Sequence, residues 1–355
     1  MTGFFKSRGS TLLFNTMSVN SGFAIPNVRK FDLAALILIV GYLALAVSGC
    51  SVTSWKSTFG QHHPLSGRIW DVSSARFIDR QSLVSRLARA DFLLLGERHD
   101  NLDHHLLQAE VLRSLIALGR RPAVGFEMFG LDDAKAITNH LARAPNDAAG
   151  LGRAVNWDKS GWPDWAMYQS IAEAALQARL QIVATNLPLA TARKMNSDGL
   201  AALEPSVRRE LGLDRPPSDA MFAIMAADIR DSHCGYASEE SVKAMVGVQR
   251  ARDAQMAQSL IAAGDPDGAI LVAGAGHVRK DYGIPVYLAA KAAGKQVISI
   301  AFLEVDDQKP EPHNYALPNG RLPFDYVWFT ARVDDENPCE KFKSQFEQLK
   351  KRSDK

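Results

Sequence analysis

An apolar run, "DFLLLG", is followed at once by Glu97, Arg98, His99 and Asp100, and Asp103, His104 and His105 come within the next five positions. Carboxylates and imidazoles at this density can bind a divalent metal, move protons or hold a charged organic ligand. Glu97 and His99 are two apart, so on an extended segment they face the same side. Two more groups stand at the ends of apolar runs: Glu127 in "GFEMF" and His277 in "GAGH". Together Glu97, His99, Glu127 and His277 make an acid–base set, with one histidine activating water and a carboxylate orienting it. Glu97, His99 and His277 make a metal-ligand set. Each also has a plain structural role open to it. Glu127 can anchor a loop, His277 can cap a helix, and His99 can bond to Asp100 or Asp103. Glu97 can sit as a carboxylate at a helix N-terminus. Asp103 reads as an N-cap. His104 and His105 point about 100° apart on a helix, so at most one faces a pocket and both can be surface residues.

The elements that position these groups repeat one grammar. Short apolar runs at "GRIWD", "DFLLLG", "PAVGFEMF", "QIVATNLP", "AILVAGAGH", "QVISIAFLEV" and "FDYVWFT" read as strands. Stretches with helical spacing lie between them: "FIDRQSLVSRLARA", "DHHLLQAEVLRSLIALG" ended by Gly119, "DDAKAITNHLA", "WPDWAMYQSIAEAALQARL" and "PVYLAAKAAG". This predicts an α/β fold, a mostly parallel sheet flanked by helices, with a helical insertion over the sheet at about 193–262. The expected organisation is a signal segment over 1–49, a tether over 50–66, one domain over 67–335 and a charged tail over 336–355. In such a sheet the carboxyl ends of parallel strands share a crevice. The first, second and third polar strand ends then converge. The tryptophans of "NWDKSGWPDW" either floor a pocket, seal a dimer or complete the core.

The chain of 355 residues is 46% hydrophobic, which is ordinary globular composition. Four basic residues and one acid precede Cys50, so from there on 37 basic residues face 38 acids. A nearly neutral body gives no reason to expect a nucleic-acid surface. "GAGH" is too short for a dinucleotide fingerprint, and a Walker A pattern, HExxH and a G-x-S-x-G elbow are all missing from the sequence. Ahead of Cys50, "NVRKFDLAALILIVGYLALAVSGC" runs basic, apolar, small. It resembles a bacterial lipoprotein signal with "VSGC" as lipobox and Cys50 acylated, and Met17 then suits the true start better than Met1. An uncleaved anchor is the alternative. Ser51 after Cys50 implies, through that resemblance, the outer membrane of a bacterial envelope, facing the periplasm. Cys234 and Cys339 can pair in an oxidising compartment, although one sits in a polar cluster and the other beside a charged tail, which favours two thiols.

"LLLGERHDNLDHHLLQAEVLRSL", "VGFEMF", "DSHCGY", "RARDAQMAQSL" and "LVAGAGHVRKDYGIP", in this order, resemble the ChaN-like family of iron-regulated, haem-binding bacterial lipoproteins. The resemblance spans roughly 92–303. It implies haem as cofactor, a ligand-mediated homodimer, an outer-membrane haem receptor as partner, outer-membrane lipid bound through Cys50, and a role in haem and iron uptake. It implies Tyr236 as axial ligand, with His233 second. Arg252 and Met256, one helical turn apart with Gln249 and Asp253, would line the cofactor. Arg252 would meet a propionate or neutralise Glu97 or Glu127, or else form an ordinary salt bridge; Arg98 is a second propionate candidate. A more distant likeness to erythromycin esterase-like hydrolases and metal-dependent peptidases carries the other expectation, a hydrolase with or without a divalent metal at Glu97, His99, Glu127 and His277.

Overall fold

Strands buried on both faces read as near-continuous apolar runs, and six of the described strands lie in parallel ladders. The computed structural model describes residues 54–341 apart from Asp265, Pro318 and Asn319, with Lys343, Ser344 and Glu347 in addition. The signal segment, Met17 and Cys50 lie outside the described residues. The eight described strands are β1 (Ile69–Asp71), β2 (Arg76–Ile78), β3 (Phe92–Glu97), β4 (Ala123–Gly130), β5 (Ile182–Asn186), β6 (Ala269–Gly274), β7 (Val297–Glu304) and β8 (Tyr326–Thr330). They form one sheet in the order β2-β1-β8-β7-β3-β6-β4-β5. From β8 to β5 every pairing is parallel, and the β1–β2 and β1–β8 pairings are antiparallel.

Alternation along β3 divides the core. Leu93 and Leu95 join the cluster on one face, with Leu83, Leu107, Val111 and Ile171. Phe92 and Leu94 join the cluster on the other, with Leu260, Ile284 and Leu288. The first face is covered by α1 (Arg80–Leu87), α2 (Leu102–Ala117) and, beyond α3 (Ala134–Arg143) and α4 (Ala148–Ala154), α5 (Trp165–Gln177). After α6 (Leu189–Asp198), α7 (Pro205–Glu210) and α8 (Asp219–Ser232), the second face is covered by α9 (Glu239–Ala263) and α10 (Ile284–Lys291). The expected insertion thus contains helices joined by loops, and no strand, among its described residues. Its last helix packs directly on β5 and β6 as part of the layer.

Local expectations fail in four places, each for a physical reason. "RFI" forms the short strand β2, and α1 starts only at Arg80, because Asp79 accepts from the Ser82 amide at 2.6 Å and caps it. The cap of α2 is Asn101, whose side chain accepts from the amides of Asp103 and His104. Asp103 is occupied elsewhere, accepting from the Lys56 and Ser57 amides at 2.8 Å each. That clasp, with buried Leu65 and a bridge between Phe59 and Arg332, makes the expected tether part of the body from about Trp55 onward. At the other end, α11 (Pro338–Lys341) carries Cys339, which is joined to Cys234 by a disulfide across a sequence separation of 105. Polar surroundings do not prevent pairing when backbone geometry brings the two residues together; their Cα atoms are 5.7 Å apart.

Candidate functional site

Three parallel strand ends meet. Glu97 is the last residue of β3 and pairs in register with Gly274, the last of β6. β4 brings Glu127 to the same level, and its Oε2 accepts the Gly274 amide at 2.7 Å. The turn after β6 then delivers His277, whose amide donates to the Gly274 carbonyl at 2.9 Å. His99 sits against the same glycine: a Cβ on Gly274 would lie 3.0–3.1 Å from its imidazole and 3.5 Å from Glu127. Glycine is what lets the two acids and two histidines gather here.

The gathered groups pair with one another. His99 Nδ1 lies 2.6 Å from Glu97 Oε1. Buried His277 lies between two carboxylates, Nε2 at 3.2 Å from Glu127 Oε1 and Nδ1 at 2.5 Å from Asp253 Oδ1, with the Gln249 carboxamide 3.0 Å from Nδ1. Arg252 Nη2 donates to Glu127 Oε1 at 2.7 Å. Asn186, at the end of β5, donates to the Glu127 carbonyl and accepts from Arg252 Nε. Behind His99, the Tyr168 hydroxyl and His105 Nε2 both donate to its carbonyl.

These contacts set the protonation states. Burial opposes charge on His277, but Glu127 and Asp253 outweigh it and raise the imidazole to about 9. Burial likewise opposes charge on His99, and Glu97 with Glu127 overcomes it, again to about 9. Burial tends to raise Glu127, yet His277 and Arg252 hold it well below the usual carboxylate range. Asp253 is raised by burial, which His277 offsets only in part. The carboxylates thus favour the imidazolium form of both histidines, whereas a general base takes a proton in its neutral form.

The donor set also fails a divalent metal. Glu127 has Oε1 directed at two cations and Oε2 at an amide, and both His277 nitrogens face carboxylates. Among the described residues, no group of three or more His, Cys, Asp or Glu is arranged to hold a metal ion.

Haem makes different demands: apolar cover for the porphyrin and one ligating side chain. A cleft of about 650 Å³ opens beside the cluster, within the usual range for organic ligands. Met225 and Ile229 of α8 and Met245 and Val248 of α9 line one side of it, with Glu97, His99 and His277 at the strand ends and His233 also on its wall. His233 Nδ1 donates to the Ile229 carbonyl at 2.8 Å, which makes Nε2 the basic nitrogen. The residues present fit haem.

Tyr236 is half-buried, three residues past His233, and does not line the cleft. Arg252 lines a second hollow of about 520 Å³ on the Glu127 side of the cluster, which adjoins the cleft at Asn196 and Val248. Met256 is fully buried among the core residues of the α9 face and reaches neither hollow. Arg98 lines the cleft, but its guanidinium pairs with Asp100, Glu304 and Asp334. His104 and His105 are both fully buried structural residues. His104 accepts from the Arg98 amide and meets Thr330, and neither histidine lines the cleft. Trp157 and Trp165 complete the core, while Trp162 stands edge-on to His99. Sequence reasoning missed Asn186, although a polar residue ending "IVATN" obeys the strand-end rule that found the others. It also missed the apolar wall, because Met225, Ile229, Met245 and Val248 look like any helix interior.

A cluster at parallel strand ends beside an apolar cleft under helices is the pattern of an α/β ligand-binding protein. Residues 83–288 match the family described as "Haem-binding uptake, Tiki superfamily, ChaN", and this chain belongs to it. The solved structure "Cofacial heme binding to ChaN of Campylobacter jejuni" shares the fold, with a TM-score of 0.59 and 21% identity over 73% of this chain and 95% of that one. An erythromycin esterase mutant in its open conformation is similar only at a TM-score of 0.39, with 16% identity over 84% of this chain and 88% of that one. Protein RETICULATA-RELATED 5, chloroplastic, of Arabidopsis thaliana is 22% identical over 304 residues, 78% of this chain. The chain spans 39% of the length of that curated relative.

Proposed function

We propose that this protein binds haem in the cleft beneath α8 and α9 and serves bacterial haem and iron uptake. The supporting observation is the cleft itself: an apolar wall from two helices, with an imidazole of suitable tautomer on it, in a chain of a haem-binding family. The axial ligand comes from the loop between α8 and α9. His233 lines the cleft, and Tyr236 is the ligand that the family resemblance implies. Haem supplies the ligation and redox chemistry of iron; the chain's part is to cover the ring and hold the loop. The lipobox-like "VSGC" supports export and acylation at Cys50, hence an outer-membrane anchor facing the periplasm, and two acyl signals or more are needed for firm anchoring. A ligand-mediated homodimer and an outer-membrane haem receptor complete the proposed route.

The test is haem titration of the chain from Ser51 onward. A Soret band that saturates, with an affinity loss of at least about tenfold in His233→Ala or Tyr236→Phe and a changed spectrum in the ligand's variant, is expected. No haem uptake, or spectra and affinity indifferent to both changes, overturns the reading.

A further inference from the structure

A third hollow adjoins the cleft at Asn196 and shares no residue with the acid–histidine cluster. It measures about 850 Å³ and opens between the end of α6, the Pro216–Pro217 turn and the first halves of α8 and α9. Two observations single it out.

The first is Arg250, which lines the hollow and is 7% exposed. Its Nη2 donates to the Arg215 carbonyl at 2.9 Å, its Nε has no partner, and Tyr287 is its other polar neighbour. Among the described residues it makes no ion pair. A guanidinium cannot shed its proton, and holding one out of water without a counter-charge is unfavourable. The second is Gly247. It lies inside a 25-residue helix, where glycine is among the poorest choices, and it lines the same hollow. A Cβ there would meet nothing within 4 Å. The helix forgoes a side chain where a side chain would fill the space.

The walls supply Leu200, Pro216, Pro217 and Phe222. Three exposed acids, Asp198, Asp219 and Glu240, share the lining with Lys243. That acidic lining repels a multiply charged anion such as phosphate, whereas a single carboxylate leaves less charge to oppose. We propose that this hollow is a binding site for a small monocarboxylate with an apolar body, its carboxylate paired with Arg250 and its body against Phe222 and the two prolines. The proposal does not depend on haem binding.

The test uses the haem-free chain from Ser51 onward, with 3-phenylpropionate and its neutral amide as probes in calorimetry. The carboxylate is expected to bind at least about tenfold more tightly than the amide. Arg250→Met should abolish that preference. Gly247→Leu, which pushes a side chain into the hollow and leaves Arg250 in place, should weaken binding of both probes while the far-ultraviolet spectrum is retained. Saturating haem should leave the probe's affinity unchanged. Failure of phenylpropionate to bind, equal affinity for the amide, undiminished binding to Gly247→Leu, or displacement of the probe by haem each overturns the proposal. If Arg250→Met does not fold, Gly247→Leu decides alone.

Discussion

Arg252 and Arg250 stand two residues apart on one helix and live in opposite electrostatic settings. Arg252 reaches the sheet end, where Glu127, His277, Asp253, His99 and Glu97 pair cation with carboxylate, one oxygen each of Glu97 and Asp253 staying without a hydrogen-bond partner. Arg250 turns to the helical cover, where its partners are a carbonyl and a hydroxyl. At the sheet end each cation of the cluster has a carboxylate partner; the cover retains open volume and, among the described residues, a guanidinium without an ion pair. Ligand chemistry should therefore be sought where the helices leave space, with the cluster acting as a rigid floor.

The comparison breaks most sharply at Glu127. Glu127→Gln leaves buried His277 and Arg252 without their shared counter-charge and should cost about 3–5 kcal/mol, read as a lower urea midpoint. A loss below about 1 kcal/mol would mean that the network is looser than its distances indicate. Next comes pH. His277 is raised from 6.5 to about 9, so its stabilising contribution is complete below the lower value and is lost as pH rises through the higher. The melting temperature should fall across that window, and His277→Gln should flatten the fall. A smaller effect is expected for Arg250→Met. Removing an unpaired buried charge should leave stability unchanged or raise it by about 1 kcal/mol, whereas a large loss would show that the carbonyl contact alone satisfies the guanidinium. The smallest belongs to Gly247→Ala, expected to stabilise α9 by about 0.5–1 kcal/mol in thermal unfolding.

The sheet was legible in the sequence because its strands are apolar runs with punctuated ends, and the convergence of Glu97, His99, Glu127 and His277 follows from parallel strand ends alone. What those residues do to each other was not legible. Whether Glu127 finds a metal, a water or Arg252 depends on distances of a few ångströms between segments 125 positions apart. The same limit hid the part played by Asn101: "NLDHH" offers two good caps, and only the docking of Lys56 and Ser57 on Asp103 assigns the other. Met256 shows the converse error. It shares a helical spacing with Arg252, but the sheet buries its turn of α9 while the cluster receives its neighbours.

The bond between Cys234 and Cys339 has a consequence for where this chain can work. It fastens the segment after β8 to the residue that adjoins His233, so the loop offered to haem is moored covalently to a distant part of the chain. By chain entropy alone, closing a loop of about 100 residues disfavours the unfolded state by about 4.7 kcal/mol. In the cytosol, with the thiols reduced, that loop would lose one of its moorings. In an oxidising compartment the bond holds that mooring in place.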